Sequence, residues 1–300
     1  MKMKKTVITA LVGLSILSSA AAAKGCLTMG LIPAEDPKAM IEQYKPMTEW
    51  LEKEIGQCIE LKTSTDYTGV IEAMRAKKAD IAWFGPFSYA MAAERAGAEA
   101  FAVGMDSKGN TTYKAYLVAK PSVAKELAIS KPLVGLAGMK QLGAKLASRN
   151  GKYLMAFTDV ASTSGYAAPR YFMYKAGIDP KKIFKKVSFT GTHDAAELAI
   201  KNKIMDIVAD NDISYPKMLE SGKISKDTNV IIWESSPLPG SPLAYRGDLD
   251  SKTKAKIKNA ISKVPQNIVT GYGKITGYKI VQDKEFNIIK DMKKVIDKVK

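Results

Sequence analysis

From residue 27 to about residue 234, short apolar runs with strand character alternate with segments of helical period. No other feature constrains the fold of this chain as tightly. The pattern predicts strands at Leu27–Ile32, Ile59–Thr63 and Asp80–Phe84. Between and after them it predicts helices over Pro37–Ile55, Tyr67–Lys77 and Ser88–Ala96. The first helix carries the stripe Met40, Ile41, Tyr44, Met47, Trp50, Leu51 and Ile55. Parallel strands need a crossover helix, so this order predicts an α/β protein with a parallel sheet. An extended run, Lys114–Ala119, stops at Pro121 and a second unit follows. Its predicted strands are Lys152–Phe157, Lys186–Phe189, Asp206–Ala209 and Asn229–Glu234, with helices over Gly165–Ala176 and Asp194–Lys201. Pro237-Leu238-Pro239-Gly240 is a breaker and Leu243–Arg246 is extended. The remainder is expected to be helical and lysine-rich, with apolar stripes at Ile257, Ile261 and Val264 and at Ile288, Met292 and Ile296. The expected architecture is two doubly wound lobes with a ligand cleft between them. Segments near 115 and 243 make the crossings, lobe 1 is 24–116 plus 237–300, and lobe 2 is 117–236.

The first 23 residues read as a signal peptide. Lys2, Lys4 and Lys5 precede the apolar stretch Val7–Leu17, and Ser18–Ala23 offers small residues for cleavage. The stretch is short for a membrane span, which needs ~20 residues. A periplasmic location is therefore expected. Removing this segment takes the formal charge from +16 to +13. The lysines are scattered and lack interleaved aromatics, so nucleic acid is not an expected partner, although the field would steer anions inward. Cys26 and Cys58 open two strands expected to be neighbours, and export favours a disulfide between them. Two free thiols, or a lipid on Cys26, are the alternatives. Ala23-Lys24-Gly25 before Cys26 includes a charge and lacks the leucine of a lipid-attachment signal.

Three polar stretches stand where helices begin: Thr65-Asp66-Tyr67-Thr68-Gly69, Ser162-Thr163-Ser164-Gly165 and Gly191-Thr192-His193-Asp194. The free amides and positive dipole end of a helix start favour an anion. Ser162, Thr163 and Ser164 add three hydroxyls, but no lysine follows them as in a nucleotide-binding P-loop. His193 is the only histidine, and its place at a helix start favours the neutral ring. Tyr67 and Tyr113 are phenolic donors, a role that competes with ordinary core packing. One histidine, two strand-opening cysteines and no Gly-x-Ser-x-Gly leave neither a catalytic set nor a metal cluster. The chain is expected to be no enzyme and to need no cofactor.

Five longer motifs resemble one family, in the same order. They are Thr65–Met74, Asp80-Ile81-Ala82-Trp83-Phe84-Gly85-Pro86-Phe87-Ser88-Tyr89, Ser162–Tyr166, Phe189-Thr190-Gly191-Thr192-His193-Asp194-Ala195-Ala196, and Ser236–Pro242. The chain resembles the periplasmic phosphonate/phosphite-binding proteins of ABC transporters, a branch of the type II periplasmic binding proteins. The resemblance implies a monomer that closes on a small oxyanion and delivers it to a permease and ATPase in the inner membrane. It implies ligand contacts from Tyr67, Tyr113, Ser162, Thr163, Ser164 and His193. Relatives that take aminoalkyl phosphonates place an acid in the Pro-Gly-x-Pro motif, where this chain has Ser241. A second family acid falls near Ile213-Ser214, with Asp210 and Asp212 close enough to substitute. The missing acids point to phosphite, phosphate or methylphosphonate as ligand, with Asp210 and Ser241 as further candidate contacts. A receptor for arsenic or other oxyanions that feeds a sensor kinase remains an alternative, as does an exported phosphoester or phosphonate enzyme.

Overall fold

The computed structural model describes residues 25–298, so the expected signal segment lies outside the described residues. The alternation of strands and helices builds two six-stranded sheets. The first runs in the order Gly277–Ile280, Glu99–Met105, Pro242–Tyr245, Ile81–Trp83, Leu27–Leu31, Ile59–Thr63. The second runs Leu133–Val134, Val230–Glu234, Ala115–Ala119, Ile207–Asn211, Leu154–Phe157, Lys186–Phe189. Each holds three parallel strands at one side, with Leu27 beside Ile59 and Met29 beside Ile81 in the first. Each is then entered by an antiparallel return strand: Pro242–Tyr245 beside Ile81–Trp83, and Ala115–Ala119 beside Ile207–Asn211. The inner parallel strands, such as Leu27–Leu31 and Ile81–Trp83, are covered on both faces and read as near-continuous apolar runs, while the edge strands Ile59–Thr63 and Lys186–Phe189 keep exposed polar positions. Met29, Leu31 and Ile81 are fully buried in one lobe, and Leu117, Ile207 and Trp233 in the other.

The helices begin and end where local chemistry allows. Asp36 accepts from the amide of Ala39 and Pro37 opens the first turn of Pro37–Ile55. Gly56 stops that helix in the left-handed region, at φ 70°. Asp66, Ser162 and Thr192 cap the three helix starts noted above, each accepting from an amide three residues on.

Two strands cross between the lobes. Thr112–Tyr113 pairs with Leu238–Pro239 in a small antiparallel ladder between the sheets. The crossing expected near 243 is thus made by Leu238–Pro239, while Pro242–Tyr245 lies wholly in the first sheet. Ala115 and Tyr116, expected in lobe 1, fall in the second sheet. The tail is also not wholly helical, since Gly277–Ile280 forms an edge strand of the first sheet. Its last helix, Asn287–Lys298, packs against Pro86–Ala96 of one lobe and Ala168–Lys175 of the other. Helix Gly135–Ala147 was not expected, because its glycines weaken the helical signal. Packing explains one of them: a Cβ at Gly143 would come within 2.7 Å of Ile178. Among the described residues no helix is long and apolar enough to cross a membrane.

Cys26 and Cys58 form a disulfide beside the paired first strands. It occupies both thiols and spans a sequence separation of 32 residues. A loop of that length implies about 3–4 kcal/mol of stabilisation on the chain-entropy model. Replacing both cysteines by serine is therefore expected to lower the unfolding free energy by about that amount. Denaturant titration of the variant against the oxidised protein measures it.

Candidate functional site

The parallel strands of both sheets point their carboxyl ends into the cleft, the usual place for ligands in open α/β sheets. The helices that follow aim their amino ends at the same place. A small space lies there. Tyr67, Tyr113, Ser162, Thr163, Ser164, His193 and Ser241 all line it.

The Ser-Thr-Ser segment forms a wide π-type turn over Thr163–Ala167 that leads into helix Ala168–Lys175. The Ser162 hydroxyl accepts from the Gly165 amide at 3.0 Å. Only glycine fits at 165, since a Cβ there would sit 2.3 Å from the Thr158 side chain. The Thr163 and Ser164 amides, in the first turn, have no intrahelical acceptor. Thr163 accepts from the Phe87 amide of the opposite lobe at 2.8 Å. The Tyr67 hydroxyl is buried with no hydrogen-bond partner among the described residues. Burial, then nearby Asp159, hold its phenol well above the ordinary range, so it remains a donor. Burial also pushes the Tyr113 phenol up, against the opposing effect of the Thr163 and Ser164 hydroxyls.

His193 heads helix His193–Lys201 and is buried. Its amide donates across the cleft to the Ala34 carbonyl at 2.9 Å. Burial lowers its pKa to about 4, opposed by Glu35 and Asp194, so the ring is neutral at physiological pH.

Asn211 and Tyr272 were not anticipated. The Asn211 Oδ1 accepts from the amides of Ile213 and Ser214, at 2.9 and 2.8 Å. That fixes the amide with Nδ2 outward, 3.0 Å from the Tyr272 hydroxyl and 3.3 Å from Ser164 Oγ. A signal for Asn211 was available, because it ends a parallel strand at the cleft. Tyr272 sits in an irregular stretch with no pattern to mark it. Its ring packs on Trp83, centroids 5.1 Å apart, and Trp83 packs on Tyr44 at 5.6 Å. This aromatic layer forms an apolar wall.

Asp210, expected as a candidate contact, does not line the space. Successive strand residues face opposite sides. Asn211 faces the cavity, while Asp210 lies behind His193 with Oδ1 2.7 Å from Nδ1. Asp212 lies in the wall of a wider outer chamber that shares Trp83, Tyr113, Ser241 and Tyr272 with the inner space. Its Oδ1 accepts from the Lys114 amide at 2.9 Å. Among the described residues no lysine, arginine, aspartate or glutamate lines the inner space. Two ion pairs cross the cleft around it, Glu35 with Lys217 and Glu220 with Lys274. Among the described residues, no group of three His, Cys, Asp or Glu side chains is placed to hold a metal.

Two lobes, two crossing strands and a cleft between facing helix starts define a periplasmic binding protein. Residues 29–286 match the family described as the ABC transporter, phosphonate, periplasmic substrate-binding protein, and the chain belongs to that family. It is a family of binding proteins, not of enzymes. The chain is 29% identical over 252 residues to the phosphonates-binding periplasmic protein of Escherichia coli, covering 83% of this chain and 70% of that one. It is 29% identical over 247 residues to a phosphate-import protein of Mycolicibacterium smegmatis, covering 79% and 71%. Among solved structures, a binding protein of a Pseudomonas aeruginosa phosphonate transporter superposes with a TM-score of 0.77 at 22% identity, covering 92% of this chain and 87% of that one. The Prochlorococcus marinus protein PhnD1, in complex with methylphosphonate, gives 0.76 at 19%, covering 91% and 98%. These two likenesses establish the fold.

The buried groups give a pH dependence of stability whose sign follows from their shifts. His193 is lowered to about 4, so between there and its unfolded value of 6.5 the unfolded chain binds more protons and stability rises with pH. Asp210 is raised from 3.8 to about 8 by burial, so over that range the native chain binds more protons and stability falls. Glu197, also raised by burial, acts in the same direction. The two effects oppose each other up to about 6.5, and above it only the fall remains. We expect unfolding free energy to drop by on the order of 2 kcal/mol between pH 6.5 and about 8. Asp210→Asn is expected to reduce that drop, as read by denaturant titrations across the range.

Proposed function

We propose that this protein captures a small phosphorus oxyanion (phosphite, phosphate or a short alkylphosphonate) and hands it to an inner-membrane permease driven by an ATPase. Residues 1–23 serve as the export signal in this reading. The observation that carries it is a cleft space walled by uncharged donors from both lobes, with no charged side chain among the described residues against it. Hydroxyls, phenols, a neutral imidazole, a carboxamide and first-turn amides suit a compact anion with oxygens on several sides. The Trp83 and Tyr272 rings supply an apolar wall for a P–H bond or a methyl group.

Relatives named for phosphonates, for phosphate and for a methylphosphonate complex support this substrate class. Size and charge support its small end. The space is narrow, and an ammonium-bearing tail leaving it would meet Ser241 instead of a carboxylate. Of the acids that line the outer chamber, Asp212 accepts from the Lys114 amide and Glu220 pairs with Lys274.

Calorimetric titration of refolded, ligand-free protein tests the proposal. One-to-one binding of phosphite, phosphate or methylphosphonate, tighter than aminoethylphosphonate, is the expected outcome. A preference for aminoethylphosphonate over all three overturns it. Tyr67→Phe and His193→Ala each remove one hydrogen bond to an anion. Each is expected to weaken binding of the preferred anion by roughly 10- to 100-fold, the range for hydrogen bonds to charged groups.

A further inference from the structure

An acid stands where an anion site would least tolerate one. Glu35 directly follows Ala34, which lines the inner space and accepts from the His193 amide. The Glu35 side chain is 2% exposed, and its Oε1 has no hydrogen-bond partner among the described residues. Its field reaches the wall of the space from both lobes. Burial lowers the His193 ring and raises the Tyr272 phenol, and the charge of Glu35 is the next influence on each. A buried carboxylate needs a cation, and a bound anion nearby adds repulsion.

The cation comes from the other lobe. Lys217, on helix Ser214–Glu220, pairs its Nζ with Oε2 of Glu35, and among the described residues no other ion pair reaches Glu35. The two partners are unequal, because the lysine side chain is 50% exposed and stays hydrated beside the buried acid. One turn further along the same helix, Glu220 pairs with Lys274 of the first lobe, with the signs reversed. Those side chains are 55% and 84% exposed, and an exposed pair contributes little. The reversed signs favour one register between the lobes, while burial puts the energetic weight on Glu35.

We propose that Glu35 opposes closure of the cleft and that Lys217 lifts the opposition, so that this pair sets how tightly the closed cleft holds its anion. With the lobes apart, water solvates the carboxylate. With the lobes together, Lys217 offsets a charge that would otherwise be buried, unpaired and close to the anion. Neither residue lines the inner space, so both act as positioning residues. Losing one partner is therefore not equivalent to losing the other. Without Lys217 the closed state carries an uncompensated charge, whereas without the Glu35 charge there is nothing to compensate. The effect on affinity rests on the oxyanion reading above; the effect on the lobes does not.

A double-variant cycle tests this, with phosphite, phosphate and methylphosphonate as calorimetric probes. Lys217→Met keeps the apolar stem and loses the charge. It is expected to weaken binding of the preferred anion by roughly 10- to 100-fold, as when one partner of a buried pair is removed. Glu35→Gln is expected to bind within about threefold of wild type, and adding Glu35→Gln to Lys217→Met is expected to restore binding to that level. Lys274→Met, in the exposed pair, is expected to change affinity by less than about threefold. Wild-type affinity in Lys217→Met overturns the proposal. So does a double variant as weak as Lys217→Met, which would mean that the lysine acts on the anion without Glu35. An equal loss in Glu35→Gln would make the pair a simple strap and overturns the opposing role. Small-angle scattering of the ligand-free proteins reads the lobes alone. Lys217→Met is expected to show a larger radius of gyration than wild type, and the double variant to recover the smaller one. Equal radii in wild type and Lys217→Met overturn the effect on the lobes. Because this readout needs no ligand, an absence of oxyanion binding counts against the proposed function alone.

Discussion

A buried anion must meet a donor on every side, and one sheet cannot surround it. The architecture follows from that requirement. Each sheet contributes only the carboxyl ends of its parallel strands and the helix starts behind them. The two sets become one site only where the lobes touch. The contacts between them are made by the site residues themselves: the Phe87 amide to Thr163, Asn211 to the Tyr272 hydroxyl, and the His193 amide to the Ala34 carbonyl. The two crossing strands keep these half-sites in register without a separate linker.

The electrostatics are divided by distance. The surface is strongly basic, with a formal charge of +16 on the full chain, which favours the approach of any anion. Among the described residues no charged side chain lines the inner space, which leaves the placement of hydrogen-bond donors there as the means of selection in the proposed reading. A lysine in the cavity would bind many anions well. Fixed phenols, hydroxyls and amides suit one shape. The acids nearby are managed separately, Glu35 by Lys217 and the Asp210–Glu197 pair by burial.

Much of this was legible in the sequence, for reasons particular to each residue. Strands Ile59–Thr63 and Lys186–Phe189 and helix Pro37–Ile55 have the expected bounds, because alternation, capping and a terminal glycine agree there. Tyr67, the Ser162–Ser164 turn, His193 and Ser241 were visible because helix starts and the motif order mark them. Tyr272 was not, since it reaches the cavity from an irregular stretch about 60 residues from its partner Asn211. Asp210 was misplaced by one residue of strand alternation, which is enough to turn a side chain from the cleft to the interior. Helix Gly135–Ala147 was lost because its glycines serve packing at the expense of helical propensity.

Tyr113 belongs to two parts of the molecule at once. It lines the anion space, and it is one of the four residues in the ladder between the sheets. Glu35 is buried, acts electrically on His193 and pairs with Lys217 of the other lobe, while Glu220 and Lys274 join the lobes at the wall of the outer chamber. The lobes are thus tied at three depths: at the ladder, across the inner space and at the outer chamber. Because Tyr113 belongs to the first two, a change of its side chain disturbs the crossing and the inner space together.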